Sequence, residues 1–333
     1  MGARIIETKS DSPVAVRRLT IDEGTAGQRL DNFLLRELKG VPKTHVYRVI
    51  RSGEVRINRG RAGADTRLAL GDEVRLPPLR LPQRAAQAAA DAVPPREFAL
   101  LWEDDHLIAV DKPAGVAVHG GSGVSFGVIE QLRRARPQAK FLELVHRLDK
   151  DTSGVLLVAK RRSALLALQQ QFRSRDTGKR YVALVQGDWP AALRTLDTPL
   201  HKFVDAQGER RVRAASDDEG RPALTLVRVA QRFDGFSLLD VTLRTGRTHQ
   251  IRVHLQHAGH PIAGDPKYGD FAANRALARG AHRFARMFLH ARSLAFDHPQ
   301  GGARIELEAP LPAECARLLA ELAPPRGSEA ATA

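Results

Sequence analysis

The chain has 333 residues, and its 52 lysines and arginines outnumber its 38 aspartates and glutamates, which gives a formal net charge of +14 at pH 7. A basic excess of this size predicts a polyanionic partner, either nucleic acid or an anionic membrane surface. No stretch is apolar and long enough to span a bilayer, and the start of the chain lacks the apolar segment of a signal peptide, which leaves nucleic acid. The single cysteine, Cys315, excludes intrachain disulfides and a cysteine-rich zinc site, and it fits a reducing cytoplasm.

The first predicted unit is small and spans residues 28–80, after a loosely ordered leader over residues 1–27. Apolar residues recur at three- and four-residue steps from Leu30 to Leu38, which predicts a helix, and Thr44 can cap a second one. Two short alternating runs further along predict strands. The basic residues of this unit are expected to form a face that follows nucleic-acid phosphates, although single surface cations are more often merely solubilising. These residues are Lys43, Arg48, Arg51, Arg56, Arg59 and Arg61.

A segment rich in alanine, glutamine and arginine follows, with pairs of prolines at residues 77–78 and 94–95. Because it has no apolar periodicity, we predict an interdomain linker over residues 81–97. The second domain is then expected to span residues 98–323, and residues 324–333 are expected to form a disordered tail.

The second domain opens with a predicted strand at residues 107–110 and a turn that contains proline and glycine at residues 111–115. A glycine-rich loop at residues 119–123 comes next. It lacks the Gly-Lys-Ser/Thr ending of a P-loop, so it indicates phosphate binding only weakly, and a flexible loop is the simpler interpretation.

A polar stretch at residues 146–154 lies directly before an apolar run at residues 155–159. The run is short and rich in β-branched residues, which predicts a buried strand and makes the polar stretch a loop held by a rigid element. Arg147 and Lys150 flank Asp149 and are expected to keep it ionised, so that it can act as a nucleophile or a general base. The alternative is that the polar side chains only satisfy turn amides, as in most loops.

A strand predicted over residues 179–187 carries Tyr181, which is either an ordinary half-buried aromatic or a ring that stacks on an unpaired base. A predicted hairpin at residues 224–243 then leads into a basic run at residues 244–254. We expect a helix to begin around Arg247, whose guanidinium can pair with a carboxylate or serve as a structural clamp.

Four histidines follow one another closely in this region, and three of them advance in steps of three residues. A metal site is the weaker interpretation, because a glycine and a proline end the helix there and no acidic residue lies within the cluster. The four are His249, His254, His257 and His260.

Several of these stretches resemble the motifs of the RluA-type pseudouridine synthases, and the first unit resembles an S4 RNA-binding domain. One departure is Asp111, which stands where the first motif usually has asparagine. The matching stretches are residues 28–76 for the S4 domain, 111–113 with 119–127 for the first motif, 146–154 for the catalytic signature, 179–181 for the second motif and 244–254 for the third.

This resemblance implies a role for each candidate residue. It implies that Asp149 is catalytic, that Arg247 pairs with it, and that Tyr181 stacks on the target uracil. The base has to be extruded from its stack, and Arg147 is expected to fill the vacated space. The remaining site residues are expected to be Lys179, which contacts RNA, and Ile251 and Leu255, which floor the pocket.

The implied reaction detaches uracil from its ribose at N1 and reattaches it through C5, which turns uridine in RNA into pseudouridine. It requires no cofactor and no metal, and the sequence leaves open whether Asp149 attacks as a nucleophile or takes a ribose proton. The resemblance is greatest to the RluC type, so the expected partner is 23S ribosomal RNA of the large subunit, free or in an assembly intermediate. We expect a cytoplasmic monomer without membrane contact, and target-specific contacts from residues 272–286.

The expected fold class is α+β, with a mixed, largely antiparallel sheet, flanking helices and a basic cleft, joined to the small S4-like domain. Two other functions remain as alternatives. A non-catalytic rRNA-binding or assembly factor would use the same S4-like module but would not need Asp149. A histidine-dependent metal hydrolase would need the histidine cluster to bind zinc.

Overall fold

The computed structural model describes residues 16–22, 25–38, 41–78, 93–121 and 124–324. The chain divides into two compact units, Met1–Pro94 and Pro95–Ala333. None of the described helices has the length and apolar character needed to cross a membrane. Parts of the predicted segments lie outside the described residues, namely leader positions 1–15 and 23–24, first-unit positions 39–40 and 79–80, linker positions 81–92, glycine-loop positions 122–123 and tail positions 325–333.

The described residues of the first unit form two helices and a four-stranded antiparallel sheet. Its elements are β1 Arg17–Thr20, α1 Leu30–Glu37, α2 Lys43–Arg51, β2 Arg56–Ile57, β3 Gly60–Arg61 and β4 Glu73–Leu76. The sheet order is β1-β4-β2-β3. Both helices turn apolar side chains toward the sheet, so that Phe33, Val49 and Val74 share one core.

Two features of this unit differ from the predictions. Residues predicted as part of the leader form β1, which pairs with β4 and is followed by the buried Ile21. The strand has mostly polar, exposed side chains, so its backbone pairing with β4 defines it rather than an apolar pattern. The second difference is that α2 begins at Lys43 after Pro42, and Thr44 lies within the first turn instead of capping it.

The second unit is built around a ten-stranded sheet. The described strands of the second unit, including the two of a separate hairpin, are β5 Leu100–Glu103, β6 Leu107–Lys112, β7 Glu143–Leu144, β8 Ser153–Ala159, β9 Gly178–Gln186, β10 Thr195–Leu196, β11 Leu200–Val204, β12 Arg210–Ala214, β13 Thr225–Phe233, β14 Phe236–Leu243, β15 Leu289–Asp297 and β16 Arg304–Glu308. Its helices are α3 Val128–Ala135, α4 Arg162–Ser174, α5 Gln250–His257, α6 Phe271–Arg279 and α7 Ala313–Glu321.

The main sheet runs in the order β10-β13-β14-β9-β15-β8-β6-β5, with β16 beside β15 and β7 beside β8. The pair β8 and β15 is parallel, and the other pairs among the described strands are antiparallel. Strands β11 and β12 form a separate two-stranded hairpin. The predicted α+β class, with a mixed and largely antiparallel sheet, is therefore confirmed.

Strand β8 is buried along its whole length, which accounts for the continuous apolar run in the sequence. Val155 and Leu157 pack in the cluster that includes α4, whereas Leu156 packs on the opposite face in the cluster that includes α3. At the start of the strand, Gly154 has φ +113°, and a Cβ there would lie 2.2 Å from the backbone oxygen of Ala291. Glycine is needed at this point so that β8 can approach β15 directly after the polar loop.

Candidate active site

Lys112, at the end of β6, anchors the polar loop at residues 146–154 from inside the fold. Its side chain is fully buried, and Nζ donates hydrogen bonds to the backbone oxygens of Pro113, Val116 and Lys150 at 2.9, 2.7 and 3.0 Å. Burial lowers the pKa of Lys112 to about 7, because the ammonium loses its hydration. This lysine, predicted as part of a turn and of the first motif but without a role of its own, therefore fixes the residue that follows Asp149.

Replacement of Lys112 by methionine should destabilise the chain by about 2 kcal/mol or more, because three buried oxygens lose their donor. A lysine in the unfolded chain titrates near pH 10.5, whereas Lys112 in the folded chain titrates near 7. The unfolded state thus binds more protons between these values, and wild-type stability should rise with pH relative to the variant. Between pH 7 and pH 9, the free energy of unfolding of wild type, measured with urea, should rise by about 2 kcal/mol relative to that of the variant.

The control for this measurement is the exposed Lys140, whose replacement by methionine should change stability little at either pH. If the difference in the free energy of unfolding between wild type and the Lys112→Met variant is the same at pH 7 and pH 9, the lowered pKa of Lys112 is contradicted.

His146 fastens the beginning of the loop to β8. Its Nε2 accepts the backbone N–H of Leu157 at 3.1 Å, and its ring stacks on Phe172 with centroids 4.8 Å apart. Burial lowers the pKa of His146 to about 4, so the imidazole is a neutral acceptor at physiological pH. Asp149 is presented on a loop that is fixed at both of its ends.

Asp149 forms an ion pair with Arg252 and not with Arg247. Nη1 of Arg252 donates to Oδ2 of Asp149 at 3.1 Å, and the two side chains are 5% and 18% exposed. Arg247 instead donates through Nε to the backbone oxygen of Pro222 at 3.1 Å. The prediction that Arg247 pairs with the aspartate is therefore wrong.

The start of α5 explains this correction. His249 has a left-handed backbone conformation, with φ 54° and ψ 21°, so the helix begins at Gln250 and not around Arg247. Oε1 of Gln250 accepts the backbone N–H of Arg247 at 2.9 Å and keeps this residue in the turn before the helix. Arg252 lies in the first turn of α5 and reaches Asp149 from there.

A second carboxylate, Asp265, orients the guanidinium of Arg252. Nε and Nη2 of Arg252 each donate to Asp265 at 2.8 Å, and the Asp265 side chain is fully buried. Burial alone would raise the pKa of Asp265, but the hydrogen bonds from Arg252 hold it below its usual value. The guanidinium also lies over the ring of Tyr268, 5.0 Å from its centroid. Arg252 is thus held in place and directs its remaining nitrogen toward Asp149.

Sequence reasoning missed Arg252, Asp265 and Tyr268. The run at residues 244–254 contains Arg252 as well as Arg247, but nothing local distinguishes them. Asp265 follows a glycine and precedes a proline, a pattern typical of a turn, and its contact with Arg252 exists only in the folded chain.

Asp149 lies in the wall of a cavity of about 490 Å³. Tyr181, Ile251 and Leu289 are among its lining residues. Burial, with a smaller contribution from the Asp149 charge, raises the pKa of Tyr181, so its ring is a neutral phenol at physiological pH. Leu255, one helical turn beyond Ile251, is fully buried in the core and does not line the cavity, which corrects its predicted place at the floor.

Positive charge surrounds this cavity. Among the described residues, its lining includes seven lysines and arginines but only one carboxylate, that of Asp149. The lysines and arginines are Arg147, Arg173, Arg175, Lys179, Arg244, Arg247 and Arg252. Arg147 is exposed, whereas Lys179 is buried, with Nζ 5.7 Å from the centroid of the Phe172 ring. The site therefore suits a polyanion that inserts one neutral, planar group.

Three of the four histidines of the predicted cluster, His249, His254 and His260, have separate hydrogen-bond partners. His254 is buried, with Nδ1 2.9 Å from Oγ1 of Thr225, and His260 lies against the backbone oxygen of Gln186 at 2.8 Å. Within the described part of the chain, no group of three or more histidine, cysteine or acidic side chains is arranged to hold a metal ion.

In the first unit, the basic residues predicted to meet phosphates lie mostly at the surface. Five are exposed and Arg56 is half-buried, and none of the six forms an ion pair with a described residue. Arg56 donates to the backbone oxygen of Arg59 at 3.1 Å, and Arg48 lies 3.0 Å from Nε2 of His45.

The fold and the site together place an ion-paired carboxylate, that of Asp149, in a cavity lined by cations. Residues 106–257 match the RNA pseudouridylate synthase family, and residues 28–74 match the S4 domain. The chain is 50% identical over 307 residues to "Ribosomal large subunit pseudouridine synthase C" of Yersinia pestis, with 91% of this chain and 94% of the relative covered. It is 48% identical over 318 residues to the protein of that name from Escherichia coli K12, with 94% and 98% covered.

Solved structures agree with these matches. "Human RNA Pseudouridylate Synthase Domain Containing 4" aligns with a TM-score of 0.55 at 25% identity and covers 72% of this chain and 97% of its own. "Human RNA Pseudouridylate Synthase Domain Containing 1" aligns with a TM-score of 0.54 at 26% identity, over 64% and 83% of the two chains. The chain belongs to the RNA pseudouridylate synthase family, and it is an RNA pseudouridine synthase with an N-terminal S4 domain.

Proposed function

We propose that this enzyme isomerises specific uridines of 23S ribosomal RNA in the large subunit, with Asp149 as the catalytic residue. The observation that carries the proposal is the carboxylate of Asp149, held 3.1 Å from Arg252 in the wall of a cavity lined by cations. The large-subunit substrate is supported by relatives of that name that are about half identical over most of the chain.

In the proposed reaction, the target nucleoside leaves its stack at a cost of a few kcal/mol and enters the cavity. Tyr181 stacks on the uracil, and Arg147 fills the vacated space. The bond between N1 and C1′ breaks, the base turns, and a bond forms between C5 and C1′, while C5 releases its proton and N1 gains one. Asp149 serves as the nucleophile or takes a ribose proton, and both routes use the carboxylate that Arg252 orients.

The decisive experiment follows the proton that C5 releases. A 23S transcript labelled with tritium at C5 of uridine should release tritium to solvent when incubated with the full-length protein. A 16S transcript labelled in the same way is the specificity control and should release little. Absence of release from every large-subunit RNA tested would overturn the proposal.

We also propose that the substrate is free RNA or an assembly intermediate and that the enzyme acts as a cytoplasmic monomer. Asp149, Arg252 and Tyr181 all come from one chain, which supports a site complete without a second copy. Deproteinised 23S RNA should react faster than mature large subunits, and sedimentation should give the mass of one chain, 36.5 kDa. A reaction confined to mature subunits, or activity confined to a dimer, would contradict these proposals.

Residues 272–286 remain our proposal for target-specific contacts, and a helix carries the first part of this segment. Just over half of the segment lies in α6, whose N-terminus is capped by Asp270, since its Oδ1 accepts the backbone N–H groups of Ala272 and Ala273. Phe271, Arg275 and Arg279 are exposed and follow one another at four-residue spacing, so they share one face of the helix.

The S4 unit should contribute affinity rather than chemistry. A variant with Arg48, Arg51 and Arg59 all changed to glutamine should weaken RNA binding at least about tenfold at moderate salt and reduce the salt dependence of the binding constant by about two ions. Its turnover at saturating RNA should stay close to wild type. Filter binding across a range of salt concentrations, with single-turnover rates, measures both effects.

Arg18 supplies a matched control because it belongs to the same unit but already pairs with Glu73 at 2.8 Å. The Arg18→Gln variant should bind RNA nearly as well as wild type. If the triple variant keeps the affinity and salt dependence of the wild type, the S4 unit does not bind phosphates through this face.

A further inference from the structure

His249 lies between Asp149 and Tyr268. Its Nε2 is 3.8 Å from Oδ2 of Asp149, and its Nδ1 is 2.7 Å from the hydroxyl oxygen of Tyr268. Its left-handed backbone is one that residues with a side chain rarely adopt. This backbone conformation places the imidazole between the two partners, and Asp149 is left with a potential second partner besides Arg252.

The hydrogen bonds around Tyr268 favour one position for the proton of the neutral His249 ring. The backbone N–H of Val212 donates to the hydroxyl oxygen of Tyr268 at 3.0 Å, and an amide can only donate. The hydroxyl proton must therefore point elsewhere. Among the described residues, the acceptor recorded within hydrogen-bond distance is Nδ1 of His249. Nδ1 is then unprotonated, and the proton of the neutral ring is on Nε2.

The opposite arrangement is unfavourable on electrostatic grounds. With the proton on Nδ1, the lone pair of Nε2 would face the carboxylate of Asp149. Burial lowers the pKa of His249, so the ring is neutral at physiological pH. The charges of Asp149 and Asp265 act to raise this pKa, whereas those of Arg252 and Lys267 act in the same direction as burial.

We propose that His249 is a positioning residue for Asp149, with Nε2–H directed at the carboxylate by Tyr268 and by the backbone of Val212. The 3.8 Å separation is too long for a hydrogen bond and has to shorten when substrate closes the site. Asp149 would then be held by two donors, which would set the direction of its free lone pairs. The inference rests on the proposed catalytic role of Asp149.

This chain of hydrogen bonds also reaches the β11–β12 hairpin. Val212 belongs to β12, which pairs only with β11 among the described strands. The hairpin packs on α5 through Leu200 and Val212, which share a small cluster with Val253. The position of the hairpin is thus coupled to the proton on His249, and RNA held against the hairpin would steady the catalytic carboxylate.

The Tyr268→Phe variant tests the coupling while it keeps the ring beneath Arg252. We expect kcat to fall about 10- to 100-fold with little change in the KM for RNA, because the contact orients a group and does not bind substrate. His249→Asn should retain more activity than His249→Ala, because asparagine tolerates a left-handed backbone and supplies an N–H donor. His257→Asn, at the exposed end of the same helix, should behave as wild type.

Nitrogen-15 NMR of the imidazoles in the full-length protein gives a readout that general destabilisation would not mimic. The His249 signals, assigned by their loss in His249→Asn, should show the Nε2–H form at pH 7.5 in wild type. In Tyr268→Phe they should show a mixture of the two neutral forms.

An Nδ1–H form or a protonated ring in wild type overturns the inference, as does an unchanged kcat in Tyr268→Phe. Either result leaves tritium release by the wild-type enzyme intact, so the failure of this inference is distinct from failure of the proposed function. Circular dichroism and thermal melting of each variant separate a lost contact from a lost fold.

Discussion

The Asp149→Asn variant is expected to lose at least about 1,000-fold in the rate of tritium release while it still binds RNA. Asparagine has nearly the same shape as aspartate, so the loop and the cavity should persist. It cannot ionise, however, and thus cannot serve as the nucleophile or as the base. Single-turnover kinetics with enzyme in excess measures the rate, and filter binding measures the affinity.

The neighbouring Asp151 is the control for this experiment. It lies in the same loop but does not line the cavity that contains Tyr181. The Asp151→Asn variant should keep a rate within about threefold of wild type, as expected for a substitution away from the reacting atoms. Substantial activity in Asp149→Asn, or an equal loss in both variants, would remove Asp149 from its proposed role.

The second large effect is expected at Arg252. The Arg252→Met variant should lose at least about 100-fold in rate, because Asp149 loses the guanidinium that orients it. It should also unfold more easily by about 3 to 5 kcal/mol, since the fully buried Asp265 is left without a partner for its charge. Arg247→Met should cost far less in stability, because Arg247 donates to a backbone oxygen and not to a buried carboxylate.

A double variant separates the two effects of the loss of Arg252. Arg252→Met combined with Asp265→Asn removes the unpaired buried charge, so much of the lost stability should return. The rate should stay low, because Asp149 still lacks its partner. The test is to measure urea unfolding and single-turnover rates of wild type, Arg252→Met, Asp265→Asn and the double variant. Full recovery of the rate in the double variant would show that Arg252 acts only through folding.

Much of the second unit follows from local patterns in the sequence. The apolar run at residues 155–159 predicts a strand, the polar residues before it predict a loop, and alternation around residues 224–243 predicts a hairpin. Six of the residues proposed for the site line one cavity, because each lies on or beside an element that the local pattern predicts. They are Arg147, Asp149, Lys179, Tyr181, Arg247 and Ile251.

The partners of these residues could not be read in the same way. Arg252, and not Arg247, pairs with Asp149 because the left-handed backbone of His249 sets the start of α5 and because Asp265 accepts hydrogen bonds from Arg252. In the sequence, Lys112 lies in a predicted turn and nothing local gives it a partner. In the fold, its Nζ donates to the backbone oxygen of Lys150, in the polar loop before β8. No periodicity describes these contacts, because each joins groups that are distant along the chain.

The sequence by itself determined the fold class, the S4 unit, the loop that carries Asp149 and the strand that carries Tyr181. The loop and the strand follow from side-chain periodicity and turn chemistry, which are properties of short stretches, whereas the S4 unit and the fold class follow from the resemblance of such stretches to family motifs. Only the tertiary structure decided that Arg252 pairs with Asp149 and that Leu255 lies in the core. The physical reason is that an ion pair or a buried contact depends on which backbone segments meet in space, and a few left-handed or closely packed residues decide that meeting.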